Sequence, residues 1–187
     1  MPGKIKILGF AGSLRKGSYN RAVLRSAAEL VPQNAELEIF DLEGIPVFNQ
    51  DMENSLPGRV REFKDKIRAA DAILIATPEY NHSMPGMLKN ALDWASRPSG
   101  DNSFEGKPVA IMSASPSTMG GISAQWSLRQ VFVSLDMHPI NKPEIVIANV
   151  SKKLDANGRL IDEDTREHVG KMLGALVKWA MKLKAES

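Results

Sequence analysis

The chain has 187 residues, which is enough for one domain with a substantial core and too few for two of ordinary size. Hydrophobic residues make up 43% and charged residues 25%, as is usual for globular proteins. The 24 basic and 22 acidic side chains leave a net charge of +2, which gives no reason to expect a nucleic acid as partner. Cysteine is absent, which excludes disulfides, thiolate metal sites and a catalytic thiol.

These features predict a cytoplasmic protein that forms a single domain over residues 1–187. No apolar run approaches the length that a bilayer span requires, so no membrane insertion is expected. Residues Met1–Lys4 precede an apolar run that is too short for the core of a signal peptide, and no cleavage site follows it. A chain without cysteine also suits a reducing compartment.

In chain order, short β-rich runs alternate with helical stretches. The first strand, Lys4–Phe10, is apolar and β-branched, which is typical of a buried parallel strand. The elements predicted after it are a helix from Ser18 to about Pro32, a strand at Glu36–Phe40, a long surface loop at Asp41–Pro57, a helix at Val60–Ala69, a strand at Ala72–Ala76, a helix from Met84 to about Ser96, a strand at Pro108–Met112, a helix from Gly121 to about Leu135, a strand at Glu144–Ala148 and a helix at Asp162–Leu183. Asp162 is predicted to lie near the N-cap of the last helix.

Five strands, each followed by a helix, describe an α/β domain with a parallel sheet. Right-handed crossovers place helices on both faces of the sheet, which gives a three-layer sandwich. For five strands in a chain of this length we predict the order 2-1-3-4-5. That topology places a ligand crevice at the carboxyl ends of strands one and three, where the winding direction reverses.

The loop after the first strand carries the donors that a phosphate group requires. Residues Gly12–Asn20 contain two glycines, two serine hydroxyls, an amide, an arginine, a lysine and the start of a helix. Backbone N–H groups, hydroxyls and a cation bind phosphate dianions, and Arg15 is able to form a bidentate contact. The plainer interpretation is a glycine-containing turn, with Ser18 as the helix N-cap and Arg15 in solvent.

Two other phosphate motifs do not fit this loop. A Walker loop requires lysine at the position after Gly17, where this chain has Ser18. The dinucleotide fingerprint requires three spaced glycines, and Gly9–Gly12 supplies only two. The ligand that remains is a monophosphate at the mouth of the first helix.

The loop after the third strand, Thr77–Gly86, lies at the other position that the topology marks. Two prolines stiffen this loop, and its glycine permits a close approach of the backbone to a flat ligand. An isoalloxazine ring needs a planar slot with polar donors at its pyrimidine edge and one face left open. A rigid loop that carries Tyr80, Asn81 and Ser83 has the groups for such a slot.

Two segments carry a specific resemblance. Gly12–Asn20 (GSLRKGSYN) together with Pro78–Pro98 (PEYNHSMPGMLKNALDWASRP) resembles the NAD(P)H-dependent FMN reductase family, which includes quinone and chromate reductases. The resemblance runs over nearly the whole chain, through Asn141–Glu144 before the last strand. It implies a flavodoxin-like fold, FMN as the cofactor, and NADPH or NADH as the co-substrate.

The resemblance also implies which residues hold the cofactor. The residues that surround the FMN phosphate are Ser13, Arg15, Ser18, Tyr19 and Asn20. The residues along the flavin ring are Pro78, Glu79, Tyr80 and Asn81, with Ser115, in the loop after the fourth strand, as a third contact. Relatives often carry Gly-Gly-Ala-Arg where this chain has Gly120–Ser123. Ser123 replaces that arginine, so this chain cannot make the contacts that the arginine makes in relatives.

The implied reaction is a two-step exchange, in which NADPH or NADH passes a hydride to the flavin and an acceptor then takes the electrons. Quinones, free flavin, azo compounds and chromate are acceptors of this kind. We predict binding residues and no catalytic residue, because the flavin supplies the chemistry. Glu79 has no carboxylate or histidine partner by spacing, and His82 is interpreted as exposed. The scattered acids show no metal-ligand spacing, so no metal is expected.

Two other classes of protein remain open on the residues alone. A flavodoxin-type electron carrier would bind FMN without NAD(P)H turnover, and an acidic docking surface would be expected, whereas this chain is slightly basic. A phosphate-ligand binding or sensor protein would use the first loop and leave the Tyr80 loop unexplained. In the enzyme interpretation the partners are small-molecule electron acceptors.

The third and fourth predicted helices carry more apolar bulk than one sheet face needs. Ordinary core accounts for most of it, and the surplus predicts a subunit interface. The family, whose members form dimers or tetramers, implies a homodimer or homotetramer. Four polar residues of the third helix are interpreted as structural contacts that hold the neighbouring loop and the helix end: Lys89, Asn90, Asp93 and Arg97.

Overall fold

The computed structural model describes residues 3–186. Met1, Pro2 and Ser187 lie outside the described residues, and the signal-peptide prediction for the amino terminus falls partly on the first two of them. The helices and strands alternate as the sequence predicts. In chain order they are β1 Ile5–Ala11, α1 Tyr19–Ala28, β2 Ala35–Phe40, α2 Gly58–Ala69, β3 Ala72–Thr77, α3 Gly86–Ala95, β4 Pro108–Ala114, α4 Ile122–Ser134, β5 His138–Pro139, β6 Ile145–Ile147 and α5 Glu163–Glu186. Within the described residues, no helix is both long and apolar enough to cross a membrane.

The strands form a parallel sheet in the order β2-β1-β3-β4-β5, and β6 also pairs with β4. The predicted order 2-1-3-4-5 and the flavodoxin-like fold are therefore confirmed. The registers place Ala11 beside Ala76 and Thr77 beside Ser113. The carboxyl ends of β1, β3 and β4 consequently lie next to one another at one edge of the sheet.

The fifth position of the sheet differs from the prediction of a single strand at Glu144–Ala148. Two short strands share this position. His138 pairs with Pro108 near the amino end of β4, whereas Ile145 pairs with Met112 near its carboxyl end. Proline lacks the N–H group that a continuous ladder needs, and Pro143 lies between the two strands.

Helices cover both faces of the sheet. On one face, Val23 and Leu24 of α1 pack with Leu173 and Leu176 of α5. On the other face lie the buried apolar side chains of α2, α3 and α4, including Phe63, Ile67, Leu88, Leu92, Leu128 and Phe132. Burying an apolar side chain of this size contributes about 1.5–3 kcal/mol. The helix periodicity of the sequence thus corresponds to two separate core layers around the sheet.

Helix α1 ends at Ala28, earlier than the predicted end near Pro32. The N–H groups of Glu29 and Leu30 bond to carbonyls three residues back, which is the tight turn that closes a helix. Proline 32 also disfavours helical backbone in the residue before it. The chain then enters β2 at Ala35.

The surface loop between β2 and α2 is held by α3. The side chain of Asn90 accepts a hydrogen bond from the Phe48 N–H at 2.7 Å and donates one to the Pro46 carbonyl at 2.8 Å. The buried indole of Trp94 donates to the same carbonyl at 2.8 Å. These contacts confirm the structural interpretation of Asn90. They hold the loop against α3, the helix that follows the Thr77–Gly86 loop.

Candidate functional site

A cavity of about 280 Å³ lies at the carboxyl ends of β1, β3 and β4, where the topology predicts a ligand crevice. Three loops line it, each following one of these strands. The lining residues are Ser13, Arg15, Ser18, Tyr19, Asn20, Pro78, Glu79, Tyr80, Ala114, Ser115 and Pro116. Nine of the ten residues predicted from the sequence therefore meet at one cavity, and Asn81 is the one that does not line it.

One end of the cavity is formed by the start of α1. Ser18 is buried and is the N-cap of this helix, and its Oγ accepts a hydrogen bond from the Arg21 N–H at 3.4 Å. The first turn contains no acidic residue, so the partial positive charge of the helix N-terminus is not neutralised there. The plainer interpretation of Ser18 as a cap is confirmed, and a capping serine at a helix mouth also suits an anion site.

The loop between β1 and α1 places a cation beside this helix mouth. Arg15 is exposed, and its guanidinium carbon lies 5.5 Å from the centroid of the Tyr19 ring. Ser13 is buried, and its Oγ accepts a hydrogen bond from the Arg15 N–H at 3.4 Å. Arg21, by contrast, already forms an ion pair with Asp41 at 2.5 Å. Arg15 is thus the arginine of this segment that remains available to an anion in the cavity.

Gly12 allows this loop to lie close to its neighbours. A Cβ atom at Gly12 would lie 3.0 Å from Cδ2 of Leu88 and 3.2 Å from Oγ1 of Thr77, which is closer than real Cβ contacts usually are. The Gly12 N–H also bonds to the Ala76 carbonyl at 2.8 Å. The glycine therefore brings the first loop against the end of β3 and the side of α3.

Asn20 connects the first loop to the third. Its side chain is buried and donates to the Ala114 carbonyl at 2.9 Å, while its oxygen accepts the Ala114 N–H at 2.9 Å. Both polar atoms of the side chain are bonded to the end of β4. Sequence resemblance places Asn20 at the phosphate, and the structure adds that this side chain holds the first turn of α1 against the β4 loop.

The loop after β3 contains a tight two-residue turn. Tyr80 and Ser83 exchange two backbone hydrogen bonds of 3.0 Å, and Asn81 and His82 between them have φ angles of +50° and +58°. This left-handed conformation at both central positions is that of a type I′ turn. Asn81 and His82 stand exposed at its tip, and the Tyr80 side chain, 56% exposed, lies at the rim of the cavity.

Glu79 has partners that its sequence spacing does not reveal. Its Oε2 accepts hydrogen bonds from the backbone N–H groups of Ser123 at 2.8 Å and Ala124 at 3.4 Å, at the start of α4. The N-cap position of α4 is Gly121, which has no side chain to perform this function. His82 Nδ1 lies 3.6 Å from the other carboxylate oxygen. The expectation that Glu79 lacks a histidine partner is therefore wrong, because the turn folds back on it.

The third loop is fixed between β4 and β6. The Ser115 N–H donates to the Ile147 carbonyl at 3.1 Å, and the Ser115 carbonyl accepts the Val150 N–H at 3.1 Å. Its hydroxyl oxygen accepts the Ser117 N–H at 3.1 Å. Ala114 and Pro116, on either side of Ser115, line the cavity but were missed by the sequence prediction. Their position at the end of a buried central strand is the signal that identifies them.

The two ends of the cavity differ in chemistry. The α1 end offers hydroxyls, a helix N-terminus and an arginine, whereas the other end lies between two loops stiffened by Pro78 and Pro116. Within residues 3–186 no three His, Asp or Glu side chains come together as a metal site. This donor set fits a phosphate ester that carries a planar ring. A flavodoxin-like sheet with this site at its β1–β3 switch point defines the class of FMN-binding proteins.

Comparisons with known proteins agree with this class. The family model described as NADPH-dependent FMN reductase matches residues 5–152. An NAD(P)H-dependent FMN reductase of Pseudomonas aeruginosa is 50% identical over 185 residues, covering 98% of this chain and 100% of the relative. A 2-hydroxy-1,4-benzoquinone reductase of a Burkholderia species is 42% identical over 175 residues, covering 94% and 96%.

A solved structure shows the same fold. The flavoenzyme NAD(P)H:(acceptor) oxidoreductase of Paracoccus denitrificans superposes with a TM-score of 0.88 at 35% identity, covering 95% of this chain and 98% of the other. The chain therefore belongs to the NADPH-dependent FMN reductase family. It is an oxidoreductase that uses FMN and a nicotinamide nucleotide.

Proposed function

We propose that this protein passes reducing equivalents from NAD(P)H through FMN, bound in the cavity at the ends of β1, β3 and β4, to small acceptors of the quinone class. The observation that carries the proposal is the convergence of three separate loops on one cavity with a cationic, hydroxyl-rich end and a rigid end. The quinone class is supported by the names of relatives such as the Burkholderia 2-hydroxy-1,4-benzoquinone reductase. Free flavin, azo compounds and chromate are further acceptors of the same proposal.

At the α1 end, the chain's own groups bind the cofactor phosphate. In this proposal Arg15, Ser13 and Ser18 donate to the phosphate oxygens, with the N-terminus of α1 behind them. The two charges of the phosphate are then met by one guanidinium and one helix terminus. Tyr19 flanks this end through its ring, and Asn20 holds the helix in position.

At the other end, the loops after β3 and β4 enclose the flavin ring. Pro78, Glu79 and Tyr80 form one wall and Ser115 stands on another, with Asn81 in the adjoining turn. The chemistry that FMN supplies is acceptance of a hydride and delivery of electrons to a second molecule. The protein supplies orientation, and the open rim beside Tyr80 admits the two substrates in turn.

We further propose that the protein acts in the cytoplasm as a homo-oligomer, either a dimer or a tetramer. Trp126 and Val133 of α4 support the assembly, because their side chains are 58% and 84% exposed. They are seven residues apart, which places them on one face of the helix. A second copy of this chain is the occupant we assign to that face.

The test is a comparison of FMN binding and turnover between the purified protein and an Arg15→Ala variant. We expect the protein to carry a visible flavin spectrum and to oxidise NADPH when a benzoquinone is added. Loss of a charge-assisted hydrogen bond worth about 1.5–3 kcal/mol predicts an FMN dissociation constant raised at least about tenfold in the variant. Flavin fluorescence titration measures this change.

The matched control is Arg61→Ala, which removes the same charge from α2, away from the cavity. Its FMN affinity should equal that of the unaltered protein. A colourless protein that does not bind added FMN would contradict the proposal. FMN binding without NAD(P)H oxidation would instead favour a flavodoxin-type carrier, and unchanged affinity in Arg15→Ala would remove Arg15 from the phosphate site.

A further inference from the structure

A second cavity, of about 320 Å³, lies beside the flavin cavity. It lies between the first turns of α1 and the turn that precedes α5. Ser18 and Tyr19 line both cavities, so the start of α1 forms the wall between them. The volume falls at the lower end of the range of about 300–1,000 Å³ that small-molecule sites occupy.

Two cations line this second cavity, and neither is neutralised. Among residues 3–186, the side chains of Lys16 and Arg25 have no carboxylate partner and no hydrogen-bond acceptor. Arg15 lines the flavin cavity and not the second one, whereas Lys16 and Arg25 line the second cavity and not the flavin cavity. Arg25 also borders a third cavity, which contains Arg21 and Asp41. The cation of the flavin cavity is therefore a different residue from the two cations of the second cavity.

The carboxylates nearest in sequence are already used. Glu29, the C-cap of α1, lies one helical turn after Arg25, but it pairs with Arg159 at 2.9 Å and not with Arg25. Asp155 lines the second cavity, but its carboxylate accepts backbone N–H groups from Asn157 at 2.9 Å and Arg159 at 2.8 Å. Arg25 is thus left without the partner that its helical spacing provides.

The turn opposite these cations is rigid and approaches them closely. The Gly158 N–H bonds to the Asp155 carbonyl at 3.0 Å, and Gly158 has a φ of +78°. A Cβ atom at Gly158 would lie 3.7 Å from Nη2 of Arg25. The guanidinium therefore lies against a fixed wall, and the cavity combines this charge with the apolar side chains of Ala22 and Leu154.

We propose that the second cavity binds the adenosine 2′-phosphate end of NADPH, with Lys16 and Arg25 pairing with the 2′-phosphate. This inference rests on the proposed function, which requires a nicotinamide dinucleotide at the ring end of the flavin cavity. The other end of the dinucleotide carries the adenosine. The second cavity, which adjoins the flavin cavity across Tyr19, can receive this adenosine end. The side chains of Tyr19, Ala22 and Leu154 give this mixed lining an apolar part that suits adenine. Two cations without partners among residues 3–186 suit a dianion that NADH lacks. The protein therefore prefers NADPH to NADH.

The test uses the FMN-loaded protein and the variants Lys16→Ala, Arg25→Ala and Arg25→Lys. We expect kcat/KM for NADPH to fall about tenfold or more in each alanine variant, because a charge-assisted contact to phosphate is lost. The value for NADH should change less than about twofold, and Arg25→Lys should recover part of the loss. FMN content should stay unchanged, because neither residue lines the flavin cavity.

A second readout does not depend on turnover. Isothermal titration with adenosine 2′,5′-bisphosphate should show binding that weakens about tenfold or more in each alanine variant, whereas adenosine 5′-monophosphate should bind weakly to all forms. The controls Lys4→Ala and Arg61→Ala remove the same charge at the amino end of β1 and on α2. Both controls should match the unaltered protein.

The inference is overturned if NADPH and NADH lose activity equally, if the bisphosphate and the monophosphate bind alike, or if the controls weaken binding as much as the cavity variants. A protein that oxidises neither nucleotide contradicts the proposed function. In that case the titration still decides the inference, because selective bisphosphate binding that depends on Lys16 and Arg25 supports it and its absence overturns it.

Discussion

Asn20 determines how two loops of the site are spaced. Its side chain is 2% exposed and forms two hydrogen bonds of 2.9 Å to the backbone of Ala114. These bonds cross from the start of α1 to the end of β4. In the proposed site, a side chain with this role affects the cofactor through the position of the turn assigned to the phosphate, in addition to any direct contact with it.

Asn20→Asp should lower both stability and FMN affinity. The aspartate cannot donate to the Ala114 carbonyl, and an unpaired buried acceptor costs about 1–3 kcal/mol of unfolding free energy. Displacement of the α1 start should also weaken FMN binding. Urea unfolding measures the first effect and flavin fluorescence titration the second.

Asn102 offers a matched control outside the site. Its side chain likewise donates to a carbonyl, that of Leu135 at 2.8 Å, and accepts the Phe104 N–H at 3.0 Å. Asn102→Asp should lower the unfolding free energy while leaving FMN affinity unchanged. Equal loss of FMN affinity in the two variants would show that Asn20 acts through general stability alone.

Two helices of this fold receive their N-terminal caps in different ways. α4 begins after Gly121 and is capped by Glu79, a carboxylate from the loop after β3. α5 is capped locally by Asp162, which accepts the Thr165 N–H at 3.0 Å and the hydroxyl of the same residue. Only the local cap follows a sequence pattern, as the prediction of Asp162 shows. The distant cap links the site loop to the helix that carries the proposed interface.

Asp162→Ala should lower the unfolding free energy by about 1 kcal/mol at neutral pH. Hydrogen bonds from Thr165 and Lys153 hold the pKa of Asp162 below its ordinary value of 3.8. Because the folded pKa is depressed, the carboxylate stabilises the fold above that value, and the contribution disappears as pH falls through the folded pKa. The difference between variant and unaltered protein should therefore shrink below about pH 4.

Urea unfolding at pH 7 and in steps below pH 4 measures this dependence. Glu163→Ala is the control, because the Glu163 side chain is 88% exposed and its ion pair with Arg166 spans 3.9 Å. Its effect should be smaller than that of Asp162→Ala at pH 7. A difference for Asp162→Ala that stays constant with pH would contradict the cap assignment.

At the scale of the whole molecule, the site and the proposed interface lie on connected elements. Helix α4 begins at the Glu79 cap beside the cavity and exposes Trp126 and Val133. Assembly through α4 would place a second copy near the rim where Tyr80 stands, 56% exposed. In the proposed assembly, the second copy would therefore influence access to the proposed flavin site as well as stability.

Trp126→Glu should convert the proposed oligomer to a monomer, because a charge at the centre of an apolar contact must be desolvated without a partner. Size-exclusion chromatography with light scattering measures the mass. Met181→Glu is the control, since Met181 is 50% exposed on α5, on the opposite face of the sheet. A monomeric unaltered protein, or a variant that remains oligomeric, would contradict the assembly.

The sequence by itself determined the alternation of strands and helices, the strand order and the two loops that meet at the site. These follow from local periodicity and from the rule that parallel strands end at one edge. It also identified nine residues that line one cavity, of which eight lie in the contiguous motifs Gly12–Asn20 and Pro78–Pro98 and the ninth, Ser115, follows the fourth strand. The cap at Asp162 was predictable for the same reason.

Only the tertiary structure decided the division of the fifth sheet position, the bonds of Asn20 to Ala114 and of Glu79 to α4, and the second cavity, whose Lys16 and Arg25 have no carboxylate partner within residues 3–186. Each depends on groups that are distant in sequence. Helical spacing would pair Arg25 with Glu29, yet Glu29 pairs with Arg159, more than a hundred residues away. Local sequence patterns indicate which ion-pair partners are available to a side chain, and tertiary packing determines which of these partners it contacts.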